Sequence, residues 1–93
     1  MSVGLRRSEI EIIRDILRMG LGRTTELRYN VNLSHSQMQK YLAFLERANL
    51  VAIDRYGSRA ITFKVTDKGQ FVLRQLDLLF EAMGLDSWPE PWK

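Results

Sequence analysis

The amino-acid sequence predicts a small α+β domain, and three patterns along the chain support that prediction. Two amphipathic segments within residues 24–48 are separated by a short polar turn, as expected of two helices that follow each other closely. The next segment, residues 50–65, carries two short strand-like runs around a glycine, which predicts a β-hairpin. Apolar residues recur at helical spacing both before and after this block. Three helices, a hairpin and one more helix, in this order, are the elements of a winged helix-turn-helix with an added C-terminal helix.

Length and composition place the chain among small globular proteins. Its 93 residues suffice for one domain near the lower end of the sizes that fold alone, so a partner chain can contribute to stability. Hydrophobic residues make up 45% and charged residues 27%, and no apolar run approaches the roughly 20 residues of a membrane span. No signal peptide is expected, because Arg6 and Arg7 lead into an amphipathic segment. The absence of cysteine excludes disulfides and thiolate metal sites.

The charges divide the chain into a basic head and an acidic end. Residues 1–66 contain eleven Arg or Lys against six acidic residues, a net charge of +5, whereas residues 67–93 contain three against five, a net charge of −2. A basic head suits a polyanionic partner, although solvated charges also segregate by chance. We therefore divide the chain into a winged-helix head (1–66), a C-terminal dimerisation helix (67–84) and an aromatic tail (85–93).

The first helix is predicted to start after Ser8. Ser8 and Glu11 form a capping box, in which each side chain accepts a hydrogen bond from the backbone of the other residue, and Gly20 ends the helix. The apolar stripe of this helix consists of Ile10, Ile13 and Leu17, flanked by Ile12 and Ile16. We expect a loop over residues 20–23.

The second helix is predicted to begin at Thr24 or Thr25, either of which can cap its first turn. Leu27 is its expected buried anchor, and residues 30–33 form the turn that leads into the third helix. The two helices joined by this turn are the helix-turn-helix itself.

The third helix presents a face that suits a duplex groove. It starts at Ser34, where Gln37 completes a capping box, and runs to about Ala48. Its buried face is formed by Met38, Tyr41, Leu42 and Leu45. Its outward face presents Ser36, Gln39, Lys40, Ala43 and Arg47. Long amide and cationic side chains can reach base edges in a major groove, while small residues allow close approach. A solvated helix face has a similar composition, but the turn before it and the hairpin after it favour duplex DNA as the partner.

The hairpin after the third helix is predicted to be a wing. Its strands are residues 50–54 and 61–65. The buried face of the second strand consists of Ile61, Phe63 and Val65. Between the strands, Arg55 and Arg59 flank a turn glycine and can lie along a phosphate or in a minor groove. Arginines that only keep a sheet edge soluble are the alternative.

These patterns yield a set of residues predicted to contact DNA from the second helix, the third helix and the wing. They are Arg23, Thr24, Thr25, His35, Ser36, Gln37, Gln39, Lys40, Arg47, Arg55, Tyr56 and Arg59. His35 is the only histidine and has no Cys or second His beside it for a metal, while Ser34 and Ser36 lack a base. We therefore expect no enzymatic activity, no metal and no cofactor, and no small-molecule ligand is evident.

The last helix has more apolar surface than one core requires. It begins after Thr66 and ends before Gly84, and its apolar residues span roughly 220 degrees, against about 100 degrees needed to pack on one core. We expect Phe71 and Leu78 to close the domain under the first helix, and the opposite edge to face a second copy of the chain in a homodimer. The predicted dimer contacts are Leu73, Leu76, Leu79, Phe80 and Met83.

Four short motifs lie within residues 11–73. They are Glu11-Ile12-Ile13, Tyr29-x-x-Asn32-Leu33-Ser34, Tyr41-Leu42-x-x-Leu45 and Thr66-x-Lys68-Gly69. The segment that contains them resembles the small archaeal winged-helix proteins classed as predicted transcriptional regulators, a group that includes an abundant basic chromatin-associated protein that dimerises through its C-terminal helix. The resemblance implies a homodimer that binds double-stranded DNA through the third helix and the wing, without catalysis. From the predicted DNA binding we expect the protein to be cytoplasmic and nucleoid-associated.

The C-terminal end departs from the chromatin-type members. Those carry a long C-terminal helix in an antiparallel coiled coil, whereas Gly84 ends this helix after about seventeen residues, or about 26 Å. Pro89 and Pro91 exclude a helix in the tail. Trp88 and Trp92 either pack back on the domain or its partner, or recruit another protein. A winged helix that acts as a protein-interaction module, through its last helix and tryptophan tail, is the alternative function.

Overall fold

The computed structural model describes residues 9–55 and 61–84. These residues form four helices and three strands. They are α1 Glu9–Met19, β1 Leu21–Arg23, α2 Thr24–Val31, α3 His35–Arg47, β2 Val51–Asp54, β3 Thr62–Val65 and α4 Asp67–Ala82. This order confirms the predicted α+β winged helix-turn-helix with a C-terminal helix.

The strands form one antiparallel sheet in the order β1-β3-β2. Leu21 lies opposite Lys64 on one side of β3, and Val51 lies opposite Val65 on the other side. The predicted hairpin of two wing strands is confirmed as β2 and β3. The loop predicted over residues 20–23 was wrong, because residues 21–23 form β1 and add a third strand to the sheet. Three residues are too few to show a strand period, and β1 exists because β3 offers it a hydrogen-bonding edge.

The core lies between the helices and the inner face of the sheet. Its fully buried side chains are Ile16, Leu17, Leu27, Leu45, Val51, Phe63 and Val65. The predicted anchor Leu27 is confirmed. Ile61, predicted to be buried, is exposed, because it precedes β3 and lies beyond the residues that the helices cover. The backbone oxygen of Ile61 accepts a hydrogen bond from the amide of Thr24 at 3.0 Å.

Local hydrogen bonds set the ends of α2 and α3. The capping box of α3 is confirmed, since Ser34 Oγ accepts from the Gln37 amide at 3.2 Å and Gln37 Oε1 accepts from the Ser34 amide at 3.0 Å. The threonine cap predicted for α2 was wrong. Arg23 precedes the helix, and its amide donates to Glu26 Oε1 at 2.9 Å. Asn32, with a φ of 58°, ends α2 in the left-handed region and turns the chain toward α3. The capping box predicted at Ser8 lies outside the described residues.

The rotation of α4 about its axis differs from the prediction. Thr66 caps the helix as expected, because its Oγ1 accepts from the Gly69 amide at 3.0 Å. Phe71 and Leu78, expected to close the domain, are 58% and 55% exposed, whereas Phe80, expected at a dimer interface, is only 5% exposed. Phe80 thus belongs to the interior of its own domain.

Gly69 explains this rotation. A Cβ atom at Gly69 would lie 2.1 Å from the carbonyl oxygen of Leu50, so the helix can make this close approach only through its glycine. With Gly69 facing inward, Leu76 and Phe80 follow on the same side at helical spacing. Leu73 and Leu76, also predicted as dimer contacts, are half-buried and pack against the core. None of the described helices is both long and apolar enough to cross a membrane.

Candidate nucleic-acid interface

The third helix is held to the body of the protein by one face. Met38, Leu42 and Leu45 on that face are buried, and Tyr41 beside them is half-buried, as predicted. Burial of these side chains leaves the opposite face directed away from the core, because side chains on a helix repeat every 3.6 residues. The position of α3 therefore depends on core packing, and its outward side chains are available to a ligand.

The outward face of α3 consists of exposed polar and small side chains. They are Ser36, Gln39, Lys40, Ala43 and Arg47, and all five are exposed as predicted. His35 and Gln37 at the start of the helix are exposed as well. Gln39 Nε2 lies 2.9 Å from His35 Nε2, within hydrogen-bonding distance, and the Gln37 carbonyl is used in the capping box. Two cations and several hydrogen-bonding groups thus line a convex helical ridge that can enter a groove.

The single carboxylate of α3, Glu46, is paired with the base of the wing. Arg55 Nη1 donates to Glu46 Oε2 at 2.9 Å, and Arg55 Nη2 donates to Glu46 Oε1 at 3.0 Å. The pKa of Glu46 lies below its ordinary value, chiefly because Arg55 donates hydrogen bonds to the carboxylate. The positive charge of Arg55 lowers this pKa further. This pair offsets the only negative charge that α3 would bring to a polyanion.

The pair between Arg55 and Glu46 was not anticipated from the sequence. Nine residues separate the partners, so neither helical nor strand spacing connects them. Arg55 was predicted as a DNA contact, and it lies exposed at the end of β2 while bound to the carboxylate of α3. The pair therefore ties the orientation of the wing base to α3. Two other predicted wing contacts, Tyr56 and Arg59, lie outside the described residues, as do Trp88 and Trp92 of the tail.

The start of α2 brings two of its three predicted contacts to the surface. Arg23 and Thr25 are exposed, whereas Thr24 is 9% exposed. The amide of Thr24 donates to the carbonyl oxygen of Ile61, which fixes this residue where α2 meets the segment before β3. Thr24 was therefore wrongly included among residues that a duplex can reach.

A cleft of about 380 Å³ separates α1 from α3 beside the outward face. It is lined by Glu9, Ile13, Gln37, Lys40, Tyr41 and Phe44. Phe44 is 50% exposed at one wall, next to the stem of Lys40. Phe44 was not among the residues predicted to contact DNA, although its position between the buried and outward faces of α3 indicates a partly exposed ring. Among the described residues, no three His, Asp or Glu side chains are grouped so that they could hold a metal ion.

The fold and the exposed face of α3 define a protein of the winged-helix class, the fold of many DNA-binding transcription regulators. A family model described as winged helix-turn-helix matches residues 6–84, which is most of the chain. The chain belongs to the winged helix-turn-helix family. A comparison with curated protein sequences finds no match.

Solved structures share this fold at low sequence identity. Sso10a-2, a DNA-binding protein from Sulfolobus solfataricus, is 22% identical with a TM-score of 0.76, and the match covers 84% of this chain and 83% of that one. The PcaV transcriptional regulator from Streptomyces coelicolor is 21% identical with a TM-score of 0.70, over 85% of this chain and 58% of that one. The transcriptional regulator BldR from Sulfolobus solfataricus is 20% identical with a TM-score of 0.66, over 80% of this chain and 60% of that one.

These comparisons bear on fold rather than on activity. The resemblance to archaeal winged-helix proteins is confirmed at the level of fold by the two Sulfolobus structures. This chain spans less than two thirds of the length of both transcriptional regulators, so these contain segments that the match does not reach. The match to Sso10a-2 covers a similar share of both chains.

Proposed function

We propose that this protein is a homodimeric, non-enzymatic double-stranded-DNA-binding protein, acting in the cytoplasm as a transcriptional regulator or small nucleoid-associated chromatin protein. Helix α3 enters the major groove, and the wing lies on the backbone or in the minor groove. The observation that carries the proposal is the outward face of α3, where Lys40 and Arg47 are exposed and the one carboxylate, Glu46, is paired with Arg55.

The charge of the head supports an electrostatic contribution to binding. Residues 1–66 carry a net charge of +5, and contacts to phosphates supply much of the affinity of DNA-binding proteins, in a salt-dependent way. Side chains of α3 that reach base edges add sequence preference to this general attraction. The residues that we propose to contact DNA are those predicted from the sequence, except Thr24. Arg55 contacts DNA while its guanidinium group remains paired with Glu46.

The exposed side of α4 supports a homodimer, on a different edge from the one predicted. Phe71, Gln75, Leu78 and Ala82 are all exposed and follow each other at intervals of four, three and four residues. Spacing of this kind is that of a seam between two paired helices, and we call these four residues the α4 stripe. Two further exposed apolar residues, Leu79 and Met83, lie to one side of it.

The charges beside the α4 stripe favour antiparallel pairing of the α4 helices from two copies of the chain. Arg74 and Glu81 lie on the same flank of the stripe and are both exposed. When two copies pair antiparallel, equal flanks face each other and early residues of one helix meet late residues of the other. Arg74 then faces Glu81 of the partner subunit twice in each dimer. A parallel pair brings opposite flanks together and loses both contacts.

The test of the proposal is salt-dependent binding to labelled duplex DNA by Lys40→Ala and Arg47→Ala, with Gln70→Ala as the control. Gln70 is exposed on α4 and is not among the proposed DNA contacts. Each α3 variant should lower the salt slope by about one if it contacts phosphate, or cost about 1 to 3 kcal/mol at one base position if it reads a base. If both variants bind as the wild type does, with helicity intact, α3 does not read DNA.

The exposed apolar side of α4 also fits the alternative of a protein-interaction module. The two functions differ in one measurement, since only the DNA-binding protein shifts a duplex at low salt. Absence of any shift by the wild type at low salt would favour the interaction module. A sequence-specific regulator should in addition prefer its site over random DNA by about a thousandfold or more.

A further inference from the structure

The three backbone carbonyl groups that follow α3 accept hydrogen bonds from residues at the start of α4. Lys68 Nζ donates to the carbonyl oxygen of Ala48 at 3.0 Å, and Thr66 Oγ1 donates to that of Asn49 at 2.6 Å. The backbone amide of Thr66 donates to that of Leu50 at 3.0 Å. Thr66, which caps α4, and Lys68 in the first turn of α4 therefore engage every backbone carbonyl group between the end of α3 and the start of β2.

The sequence permits this contact at two special backbone positions. Asn49 adopts a φ of 64°, in the left-handed region, which turns the chain sharply after α3. Gly69 gives the room that α4 needs, because its Cβ position is occupied by the Leu50 carbonyl. The carbonyl end of a helix carries partial negative charge, so the ammonium group of Lys68 stabilises the contact electrostatically.

We propose that Lys68 is a positioning residue for DNA recognition, one that sets the angle of α3 relative to α4 without itself contacting the duplex. The proposal rests on the proposed function, in which α3 reads DNA and α4 joins two subunits. In that arrangement the angle between α3 and α4 determines the separation of the two recognition helices on one duplex.

The geometry makes half-site spacing sensitive to this angle. Helix α3 has 13 residues. At 1.5 Å per residue it is about 20 Å long, so a tilt of about 10 degrees moves one end by about 3.5 Å, close to the rise of one base pair. Lys68 holds the C-terminal end of α3, which is the end next to Arg47. Loss of its hydrogen bond should therefore change the preferred spacing more than the strength of the phosphate contacts.

The experiment compares Lys68→Met, Lys68→Arg and the control Gln70→Met, which changes an exposed side chain in the same turn of α4. Duplexes bound by each protein are selected from a random pool, the spacing between half-sites is read from the recovered sequences, and affinity is measured over a range of salt concentrations. Lys68→Met should shift or broaden the preferred spacing and weaken binding to the wild-type site by about threefold to tenfold, with the wild-type salt slope. Lys68→Arg should restore the spacing, because a guanidinium group also donates to the carbonyl. Gln70→Met should keep the wild-type spacing.

Three outcomes would overturn the inference. A salt slope lower by about one, with spacing unchanged, would make Lys68 a phosphate contact. Wild-type spacing and affinity in Lys68→Met would show that the contact is only structural, even if thermal stability falls. If Lys68→Met loses helicity, Lys68→Gln takes its place, because it removes the charge and adds less apolar surface. A salt slope of Lys68→Gln that is lower by about one, with spacing unchanged, would again make Lys68 a phosphate contact. Failure of the wild type to bind any duplex at low salt would instead reject the proposed function, and this inference with it.

Discussion

At the scale of single residues, Gly69 shows how one missing side chain determines a helix packing geometry. A Cβ atom there would lie 2.1 Å from the Leu50 oxygen and 2.6 Å from Val65 Cγ1. Alanine is favoured over glycine within a helix by about 1 kcal/mol. The nearest obstacle is backbone, however, which cannot move aside as a flexible side chain can. The steric clash therefore outweighs the gain in helix propensity.

We expect Gly69→Ala to destabilise the protein by about 1 to 3 kcal/mol, since α4 has to move away from β2 and β3. The free energy of unfolding is measured by urea denaturation. Gln70→Ala, at the exposed neighbouring position, is the control and should be within about 0.5 kcal/mol of the wild type. Equal stability of Gly69→Ala and the wild type would show that α4 does not depend on this close approach.

At the scale of helices, α1 and α4 are joined by an ionic cluster around Asp77. Arg14 Nε donates to Asp77 Oδ1 at 2.7 Å, and Arg18 Nη2 donates to the same oxygen at 2.9 Å. The guanidinium group of Arg14 also lies 4.4 Å from the centre of the Phe80 ring, which is within range of a cation–π interaction. The pKa of Asp77 is below its ordinary value, chiefly because Arg14 donates a hydrogen bond to it and further because of Arg18. The charged form of Asp77 thus favours docking of α4 on α1.

We expect Asp77→Asn to reduce the free energy of unfolding by about 1 to 2 kcal/mol at neutral pH. The Arg14 side chain is only 10% exposed, but Asp77 is 40% exposed, so the loss is smaller than for a fully buried pair. Because folding lowers the pKa of Asp77, its contribution is present above the unfolded-state pKa and is lost as pH falls through the folded-state pKa. Urea titrations across pH should therefore show the wild type and Asp77→Asn converging in acid.

The control for this prediction is Glu9→Gln, which removes an exposed carboxylate from α1. Its difference from the wild type should stay small at all pH values. A stability gap between Asp77→Asn and the wild type that does not change with pH would mean that the substitution acts through packing rather than through the charge of Asp77.

At the scale of the whole molecule, α4 has two apolar sides with different roles. The inner side, with Leu76 and Phe80, completes the core of its own domain. The outer side is the α4 stripe, which the chain leaves exposed. Exposed apolar side chains that recur on one side of a helix commonly mark an interface, and a two-fold homodimer is the simplest assembly that covers them.

We expect the wild type to sediment as a dimer at concentrations on the order of 10 μM, and Phe71→Glu and Leu78→Glu to sediment as folded monomers. A carboxylate placed in an apolar interface costs several kcal/mol. Both monomers should also bind duplex DNA more weakly, because each loses the second recognition helix. Analytical ultracentrifugation and circular dichroism are the measurements.

Two controls separate the outer side of α4 from the inner side. Gln70→Glu adds a charge on α4 away from the stripe and should leave the dimer intact. Phe80→Glu puts the charge into the core and should unfold the protein rather than release folded monomers. A monomeric wild type, or folded dimers of Phe71→Glu and Leu78→Glu, would reject the α4 stripe as the interface.

The sequence by itself determined the features that depend on neighbouring residues. The Ser34 capping box, the Thr66 cap and the buried and outward faces of α3 follow from interactions within one or two helical turns, and all three are present in the structure. The order of helices and hairpin follows from the same local periods. These features are predictable because the partners of each hydrogen bond, or the residues of each face, are near one another along the chain.

Only the tertiary structure decided which of several possible partners each segment takes. Leu21–Arg23 becomes a strand because β3 lies beside it, Arg55 binds Glu46 across the end of α3, and the amide of Thr24 donates to the carbonyl oxygen of Ile61. The rotation of α4 could not be read from its broad apolar arc, since either edge could have faced the core. Contact between Gly69 and the Leu50 carbonyl, residues distant in sequence, selected the edge that carries Phe80 and left Phe71 exposed, because only a glycine fits against that backbone oxygen.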